Sequence, residues 1–185
     1  MTLKSINQKY SRILGLDTSS KSIAFALLVD GELIRYGQIY FKGGNAEDRL
    51  SFAGQMLVQL AKEFDVELVV FEENINVRSI KQGLMLGWFV GVCAGIMGAG
   101  KPIRKVAPLQ WQAHINNPLL KKVEKDGLKK AYPKKSATWY REKGREIRTD
   151  KTRLWVQDKF GIYIESDDVT DAIGIAWFGY SKWGK

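Results

Sequence analysis

The sequence predicts an α/β fold on two observations: the order of its apolar runs, and the turn residues that separate them. Near the N-terminus, apolar runs at 13–16, 23–29 and 32–41 follow one another closely. Asp30 and Gly31 separate the second run from the third, and this pair favours a tight hairpin because both turn positions take positive φ. We therefore predict a three-stranded antiparallel meander, followed by helices and further strands.

The region after the meander alternates between helix and strand. Gly43 and Gly44 end the third strand, and Asn45 favours the start of a helix that extends to about Glu63. Apolar residues recur along this helix at helical spacing and predict a core-facing stripe, namely Leu50, Ala53, Leu57, Leu60 and Phe64. The apolar run 67–72 then predicts a buried strand that ends in acid.

A stretch of 19 uncharged residues, Gln82–Gly100, follows this strand and contains glycine at every fourth position from 83 to 95. Its length would suffice to cross a bilayer. However, it is the only such segment, and it lies between strands of an α/β pattern. We interpret it as a helix with a flat glycine ridge, which packs either against a second subunit or against the chain's own sheet.

The C-terminal half contributes one more strand and several helical stretches. Their predicted positions are a strand over 102–106, a short helix from Pro108, a helix from Thr149 or Asp150 to Phe160, and a last helix over 168–178. Gly161 ends the third of these, as glycine commonly does after the last turn of a helix.

The charge of the chain points to a polyanionic partner. The formal net charge is +9, which favours nucleic acid over a membrane surface. The segment Lys121–Lys151 carries twelve lysine and arginine residues against five acids. Its alternative interpretation is a solvated insertion. The candidate DNA contacts within it are Lys121, Lys122, Lys129, Lys130, Lys134, Lys135, Trp139, Tyr140, Arg141, Arg145 and Arg148.

The scarcity of cysteine and histidine restricts the chemistry. One cysteine excludes an intramolecular disulfide and a multi-cysteine zinc site, and one histidine disfavours a histidine-based metal site. Any metal must be held mainly by oxygen, which favours Mg²⁺ or Mn²⁺. The first twelve residues lack the apolar core of a secretion signal. We therefore expect an intracellular, cytoplasmic protein.

Carboxylates end two of the predicted strands and begin the last helix. Asp17 lies at or near the end of the first strand, where it either initiates a turn or contributes to a metal or phosphate site. Glu72 ends the fourth strand, and Asp171 shares one helix face with Asp168 or with Asp167. If the first and fourth strands are neighbours, these acids converge, and they would hold two Mg²⁺ ions for phosphodiester hydrolysis that leaves 5′-phosphate and 3′-hydroxyl ends.

These acidic motifs, Ile-Leu-Gly-Leu-Asp17, Val-Val-Phe-Glu72 and Asp168-Val-Thr-Asp171-Ala, resemble those of RuvC-type Holliday junction resolvases in the RNase H-like superfamily. The resemblance implies a five-stranded mixed sheet flanked by helices, a homodimer, and paired nicking of four-way DNA junctions with Mg²⁺, for which Mn²⁺ would substitute. It selects Glu72 over Glu73 and Asp168 over Asp167 as metal ligands. It also places Lys151 near the scissile phosphate.

The chain departs from the family pattern at three places. Ile75 stands where the family often carries an aromatic wedge that enters the DNA, and Gln112 stands where a second family lysine falls. A basic insertion at about 117–149 is longer than in bacterial versions. Such a compact, divergent form would suit a phage or mobile element.

We expect residues 1–185 to form a single domain and weigh three other functions for it. The first is another RNase H-like nuclease that acts on forks, flaps or RNA–DNA hybrids, since it would use the same acids. The second is a non-catalytic DNA-binding module, which the four intact acids oppose. The third is a sugar-kinase or actin-like ATPase. Such a protein needs a second lobe, for which 185 residues leave no room.

Overall fold

The computed structural model describes residues 9–73 and 79–185. These residues form a five-stranded mixed sheet with the order β3-β2-β1-β4-β5, flanked by helices. The strands are β1 (Arg12–Thr18), β2 (Ser22–Val29), β3 (Glu32–Tyr40), β4 (Leu68–Glu72) and β5 (Ile103–Val106). The helices are α1 (Ala46–Glu63), α2 (Ile80–Met97), α3 (Pro108–His114), α4 (Lys122–Ala131), α5 (Ala137–Phe160) and α6 (Asp167–Trp183).

The predicted meander is confirmed. β2 pairs antiparallel with both β1 and β3, and the turn between β2 and β3 has positive φ at Asp30 (51°) and Gly31 (87°). β4 runs parallel to β1, and β5 runs parallel to β4. The first and fourth strands are therefore direct neighbours, as convergence of the acids requires.

The two faces of the sheet pack against different helices. Leu14 and Leu16 of β1 belong to an apolar cluster with residues of α1 and α2. Ile13, on the other face, belongs to a second cluster with residues of α3 and α6. Because side chains alternate along a strand, Asp17 shares the α6 side of the sheet with Ile13.

The helix predicted from Thr149 or Asp150 is wrong at its start. α5 begins at Ala137, where the Ser136 hydroxyl accepts a hydrogen bond of 3.1 Å from the Trp139 amide, and it ends at Gly161 with φ 70° as predicted. A serine cap and the polar face of a long surface helix explain why the charged segment is helical. Much of the basic insertion therefore consists of α4 and the first half of α5.

α2 is largely uncovered by the rest of the described chain. Phe89, Cys93 and Met97 are buried, but a Cβ added to Gly87, Gly91 or Gly95 would meet no atom within 4 Å. For these three positions, the interpretation that the ridge packs on the chain's own sheet is wrong. Among the described residues, α2 is also the one helix long and apolar enough to cross a membrane by length and composition.

Candidate active site

Asp17 and Glu72 emerge side by side from the two central parallel strands. Leu16 of β1 pairs with Phe71 of β4, and the two acids directly follow this pair. Neighbouring parallel strands orient paired positions to the same face. The turn after β1 is closed by Ser19, whose hydroxyl accepts from the Ser22 amide at 3.0 Å. Ser19 therefore provides the side-chain hydrogen bond that closes this turn. Asp17 lies beneath α6.

Helix α6 brings two further acids to the same edge. Its first turn is capped by Ser166, and Asp168 and Asp171 follow on one helix face. The helix lies very close to β1, since a Cβ on Gly15 would fall 2.4 Å from the carbonyl oxygen of Ala172. Glycine at this position allows a contact between backbones that sets α6 over Asp17.

The electrostatics of these acids show that they form one cluster. Burial raises the pKa of Asp17 to about 8, and the carboxylates of Glu72 and Asp168 add to this rise. Burial also raises the pKa of Asp171 well above its ordinary value, and Asp17, Glu72, Asp167 and Asp168 contribute. Like charges that are held together disfavour ionisation. At neutral pH the cluster therefore retains protons that a bound cation would displace.

Glu72 has one direct partner that the sequence did not indicate. The indole N–H of Trp111, on α3, donates a hydrogen bond of 2.6 Å to Oε2 of Glu72. Burial raises the pKa of Glu72, whereas the Trp111 hydrogen bond and the nearby Arg148 lower it. The adjacent Glu73 instead forms an ion pair of 2.6 Å with Lys105.

Asp168 has a partner from the far side of the meander. Nε2 of Gln38, on β3, donates to Oδ2 of Asp168 at 2.5 Å, and Oε1 of Gln38 accepts from the Ser166 hydroxyl at 2.8 Å. The neighbouring Asp167 is exposed and forms an ion pair of 2.5 Å with Arg153. Asp168 therefore adds to the raised pKa of the buried Asp17, whereas Asp167 acts on Asp171 and is ion-paired with Arg153.

A cavity of about 690 Å³ opens over the cluster. Its acidic lining residues are Glu72, Asp167, Asp168 and Asp171, and Gln112, Arg145 and Arg148 also line it. The Arg148 guanidinium donates to Oε1 of Gln112. Burial lowers the pKa of Arg148, but Asp171 and Glu72 favour its charged form. An acid-lined floor with an arginine at its margin suits a phosphate group held beside metal ions.

The remaining predicted DNA contacts lie mainly on α4 and α5. Lys151 forms an ion pair of 3.0 Å with Glu124 of α4 and does not line the cavity. Trp139 packs on Tyr132 and Tyr140. The other basic candidates lie at the N-cap of α4, along α4 and α5, and in the turn between these helices, at Lys121, Lys122, Lys129, Lys130, Lys134, Lys135 and Arg141. Ile75 lies outside the described residues.

The donor chemistry of the cluster fits divalent cations. Within 9–73 and 79–185, no three Asp, Glu, His or Cys side chains are arranged to hold one ion together. The four carboxylates nevertheless come from three elements, and their negative charges raise the pKa values of Asp17 and Asp171. They supply only oxygen atoms, which are the ligands that Mg²⁺ and Mn²⁺ prefer. The raised pKa values of Asp17 and Asp171 are the expected signature of such a set without its cation.

Comparison with solved structures identifies the fold. The chain is similar to RuvC from Thermus thermophilus in complex with a Holliday junction substrate, with a TM-score of 0.68 and 16% identity over 94% of this chain and 96% of that one. A second Thermus thermophilus RuvC structure gives a TM-score of 0.64 at 16% identity, with 92% and 95% covered. The yeast mitochondrial Holliday junction resolvase gives 0.51 at 16% identity, with 97% and 81% covered.

Neither a family model nor a curated protein matches the sequence. The likeness is therefore one of structure. It confirms the predicted RNase H-like, RuvC-type fold with its five-stranded mixed sheet.

Proposed function

We propose that this protein is a metal-dependent, structure-specific endonuclease that resolves four-way DNA junctions by paired, symmetric nicks. The observation that carries the proposal is the convergence of Asp17, Glu72, Asp168 and Asp171 in one cluster of a RuvC-like fold, beside a cavity that the last three line. One of the similar structures is described with a Holliday junction bound. The high positive charge beside the cavity supports a nucleic-acid substrate.

The four carboxylates are the residues that would hold the cofactor, for which we propose two Mg²⁺ ions, with Mn²⁺ able to substitute. Bound there, the ions would lower the pKa of an attacking water and stabilise charge on the departing 3′ oxygen. Asp17 and Asp171 must lose their protons to become ligands, since metals bind the ionised carboxylate. The expected products carry 5′-phosphate and 3′-hydroxyl ends.

The chain's own side chains orient this cluster. Trp111 fixes one oxygen of Glu72, and Gln38 fixes one oxygen of Asp168. Such outer partners set the direction of the ligand carboxylates. We assign Arg148 the role of binding the scissile phosphate, because it lines the cavity and faces Glu72 and Asp171. Lys151, which pairs with Glu124 and does not line the cavity, is assigned a DNA contact outside it.

The basic helices α4 and α5 supply a second part of the proposed DNA interface. Most of their lysine and arginine side chains are exposed. Exposed cations that meet phosphates release counterions from DNA, so this surface would contribute affinity that falls with salt. Its position beside the acid-lined cavity would place a DNA arm along α5.

A two-fold homodimer would supply the second nick. An isologous dimer presents two copies of one site in symmetric positions, which is the geometry that two opposed cuts require. The candidate interface is the outer face of α2, where Ile80, Leu84 and Trp88 are 84%, 61% and 54% exposed beside the open glycines. Large exposed apolar side chains grouped on one helix commonly mark a protein contact.

A substrate panel tests the proposal against the other nucleases of this fold. The purified protein is incubated with a four-way junction, a fork, a flap, an RNA–DNA hybrid and a linear duplex, with Mg²⁺ or with chelator. We expect cutting of the junction in Mg²⁺, with ligatable ends in symmetric positions. Preferred cutting of the hybrid or the flap would favour another RNase H-like nuclease, and binding without cutting would favour a DNA-binding module.

A further inference from the structure

A second cavity lies between α4, α5 and the segment that precedes α4. Its volume is about 440 Å³, within the range of about 300–1,000 Å³ typical of small-molecule sites. Five uncharged residues line it, namely Leu119, Leu120, Leu128, Tyr140 and Gly144, and we refer to them as its floor. Cations line its rim, namely Lys125, Lys129, Arg141, Arg145 and Arg148. We call this cavity the α4–α5 groove.

Most of the rim charge is uncompensated. Lys143 and Lys151 of the same segment are ion-paired with Glu146 and Glu124. In contrast, Lys125, Lys129, Arg141 and Arg145 form no ion pair with any carboxylate in the parts of the chain that the structure describes. An apolar floor inside a ring of free cations is complementary to a flat apolar group that carries phosphates on either side.

Gly144 and Tyr140 shape the floor of the groove. Glycine within a helix costs about 1 kcal/mol relative to alanine, yet Gly144 lies inside α5. A Cβ at this position would approach Cδ1 of Leu120 at 3.3 Å, so a larger side chain would occupy the groove. The Tyr140 hydroxyl donates to the carbonyl oxygen of Tyr132 at 2.5 Å, which holds the ring at the groove wall.

The groove adjoins the acid-lined cavity. Leu119, Arg145 and Arg148 line both. A DNA strand with one phosphate in the acidic cavity therefore has the groove beside it. A base that is paired and stacked in duplex DNA cannot enter such a groove, whereas an unpaired base at a branch point or in a single strand has a free face for stacking.

We propose that the α4–α5 groove binds an unpaired nucleobase of the strand that enters the acidic cavity, and that Tyr140 and the leucines pack on its face. The inference deepens the proposed nuclease function and rests on it for the identity of the strand. The free cations of the rim bind the flanking phosphates. By this contact, α4 and α5 would keep one nucleotide of the cleaved strand unpaired.

Double-variant cycles of DNA-binding affinity test this assignment. They combine a change in the protein, Gly144→Leu, which fills the groove, with removal of bases from the DNA. The matched control is Gly127→Leu in α4, where an added Cβ meets no atom within 4 Å. Affinities are measured without metal for a four-way junction and for a single-stranded oligonucleotide, each intact or with abasic sites. We expect Gly144→Leu to lose about tenfold in affinity on intact DNA, within the range for loss of one stacked base. On abasic DNA the two variants should bind alike.

Equal losses on intact and abasic DNA, or no loss, would overturn the groove assignment. If the wild-type protein bound no junction in preference to duplex, the proposed function would fail, and the single-strand cycle would still decide the role of the groove. Melting temperatures of the two variants check their folding. Tyr140→Leu, matched by Tyr140→Phe, repeats the cycle without filling the groove and decides its role if Gly144→Leu does not fold.

Discussion

Trp111 and Glu72 are joined by a hydrogen bond of 2.6 Å from the indole N–H to Oε2 of the carboxylate. Trp111 is fully buried beneath α6, where it also packs against Gly174. The bond favours the ionised form of Glu72 against the burial that opposes it. Trp111 is therefore a positioning residue for the acid cluster.

Trp111→Phe should move the pH dependence of cleavage to higher pH. The substitution keeps an aromatic ring but removes the N–H donor, so the pKa of Glu72 rises and its ionised form appears at higher pH. Loss of such an outer partner typically costs about 10–100-fold in metal affinity or activity. The pH–rate profile and Mn²⁺ affinity measure both effects. Trp183→Phe, in the same apolar cluster, is the control, and an unshifted profile for Trp111→Phe would refute the assigned role.

Asp17→Asn should stabilise the metal-free protein near pH 8. The pKa of Asp17 is about 8 in the folded protein against an ordinary value of 3.8. Between these values the folded state binds more protons than the unfolded state, so stability falls as pH rises. An uncharged asparagine removes this loss, and thermal melts in chelator at pH 5 and pH 8 measure it. Asp158→Asn, at an exposed position of α5, is the matched control.

The same protonation predicts that metal binding releases protons. Mg²⁺ should stabilise the wild-type protein more at pH 8 than at pH 6, because fewer protons must then be displaced. Titration calorimetry in two buffers of different ionisation enthalpy counts the protons released. Equal heats in both buffers at pH 7 would contradict the raised pKa of Asp17.

The convergence of the acids could be predicted because it follows from strand order. Asp17 and Glu72 each end an apolar run, so the two acids converge if the first and fourth strands are neighbours, and the parallel pairing of β1 with β4 meets this condition. The spacing of Asp168 and Asp171 fixes their shared helix face. Spacing alone did not choose between Asp167 and Asp168, whereas the ion pair of Asp167 with Arg153 separates them in the structure.

Gln38 could not be predicted from the sequence because a β-bulge hides it. A regular hairpin around Asp30 and Gly31 would place Ala24 opposite Gly37. The register shifts by one residue between Leu27 and Leu28, so Ala24 pairs with Gln38 and brings it into line with Asp17. A one-residue shift exchanges the faces of a strand. The partnership of Trp111 with Glu72 depends likewise on tertiary packing of α3.

The early start of α5 has one local cause and one long-range cause. Ser136 follows two lysines and a proline turn, and within a charged segment its cap is a weaker signal than the Thr149-Asp150 pair. The structure forms the longer helix because Ser136 caps it and because Asn117, which is buried, donates at 2.7 Å to the carbonyl oxygen of Arg148. That second contact joins residues that are 31 positions apart, and no local sequence pattern predicts it.

Replacing four lysines of the basic segment should weaken DNA binding and flatten its salt dependence. The variant combines Lys121→Ala, Lys122→Ala, Lys129→Ala and Lys130→Ala. Each lost phosphate contact should reduce the slope of log affinity against log salt by roughly 0.9 on duplex arms. The control removes four lysines outside the segment, at Lys9, Lys62, Lys101 and Lys182. Equal affinity and slope in both variants would identify the segment as a solvated insertion.

Trp88→Arg should convert the proposed dimer into a folded monomer that makes single nicks. Trp88 is 54% exposed on the uncovered face of α2, so a charge there should disrupt a subunit contact without unfolding the chain. Sedimentation and thermal melting measure the two properties. The control is Val58→Arg on α1, which is 44% exposed. A dimer that persists in Trp88→Arg would exclude this face as the interface, and Gly91→Leu tests the glycine ridge in the same way.

Mixing wild-type and Asp17→Asn subunits tests whether the two nicks come from two subunits. Mixed dimers should convert a supercoiled plasmid that extrudes a cruciform into nicked circles, because only one of their two sites cuts. Wild-type dimers should yield linear plasmid. Linear product from isolated mixed dimers would show that one subunit makes both cuts.

The most direct test of the account is junction cleavage by single-acid variants, with binding measured in parallel. Asp17→Asn, Glu72→Gln, Asp168→Asn and Asp171→Asn should each reduce the cleavage rate in Mg²⁺ by more than about a hundredfold, since loss of an outer partner alone costs about 10–100-fold. Their junction affinity in chelator should stay close to that of the wild type. Glu73→Gln and Asp167→Asn, which remove the ion pairs with Lys105 and Arg153 but no proposed metal ligand, should cut at close to the wild-type rate. Near-normal cutting by any of the first four variants would contradict the account.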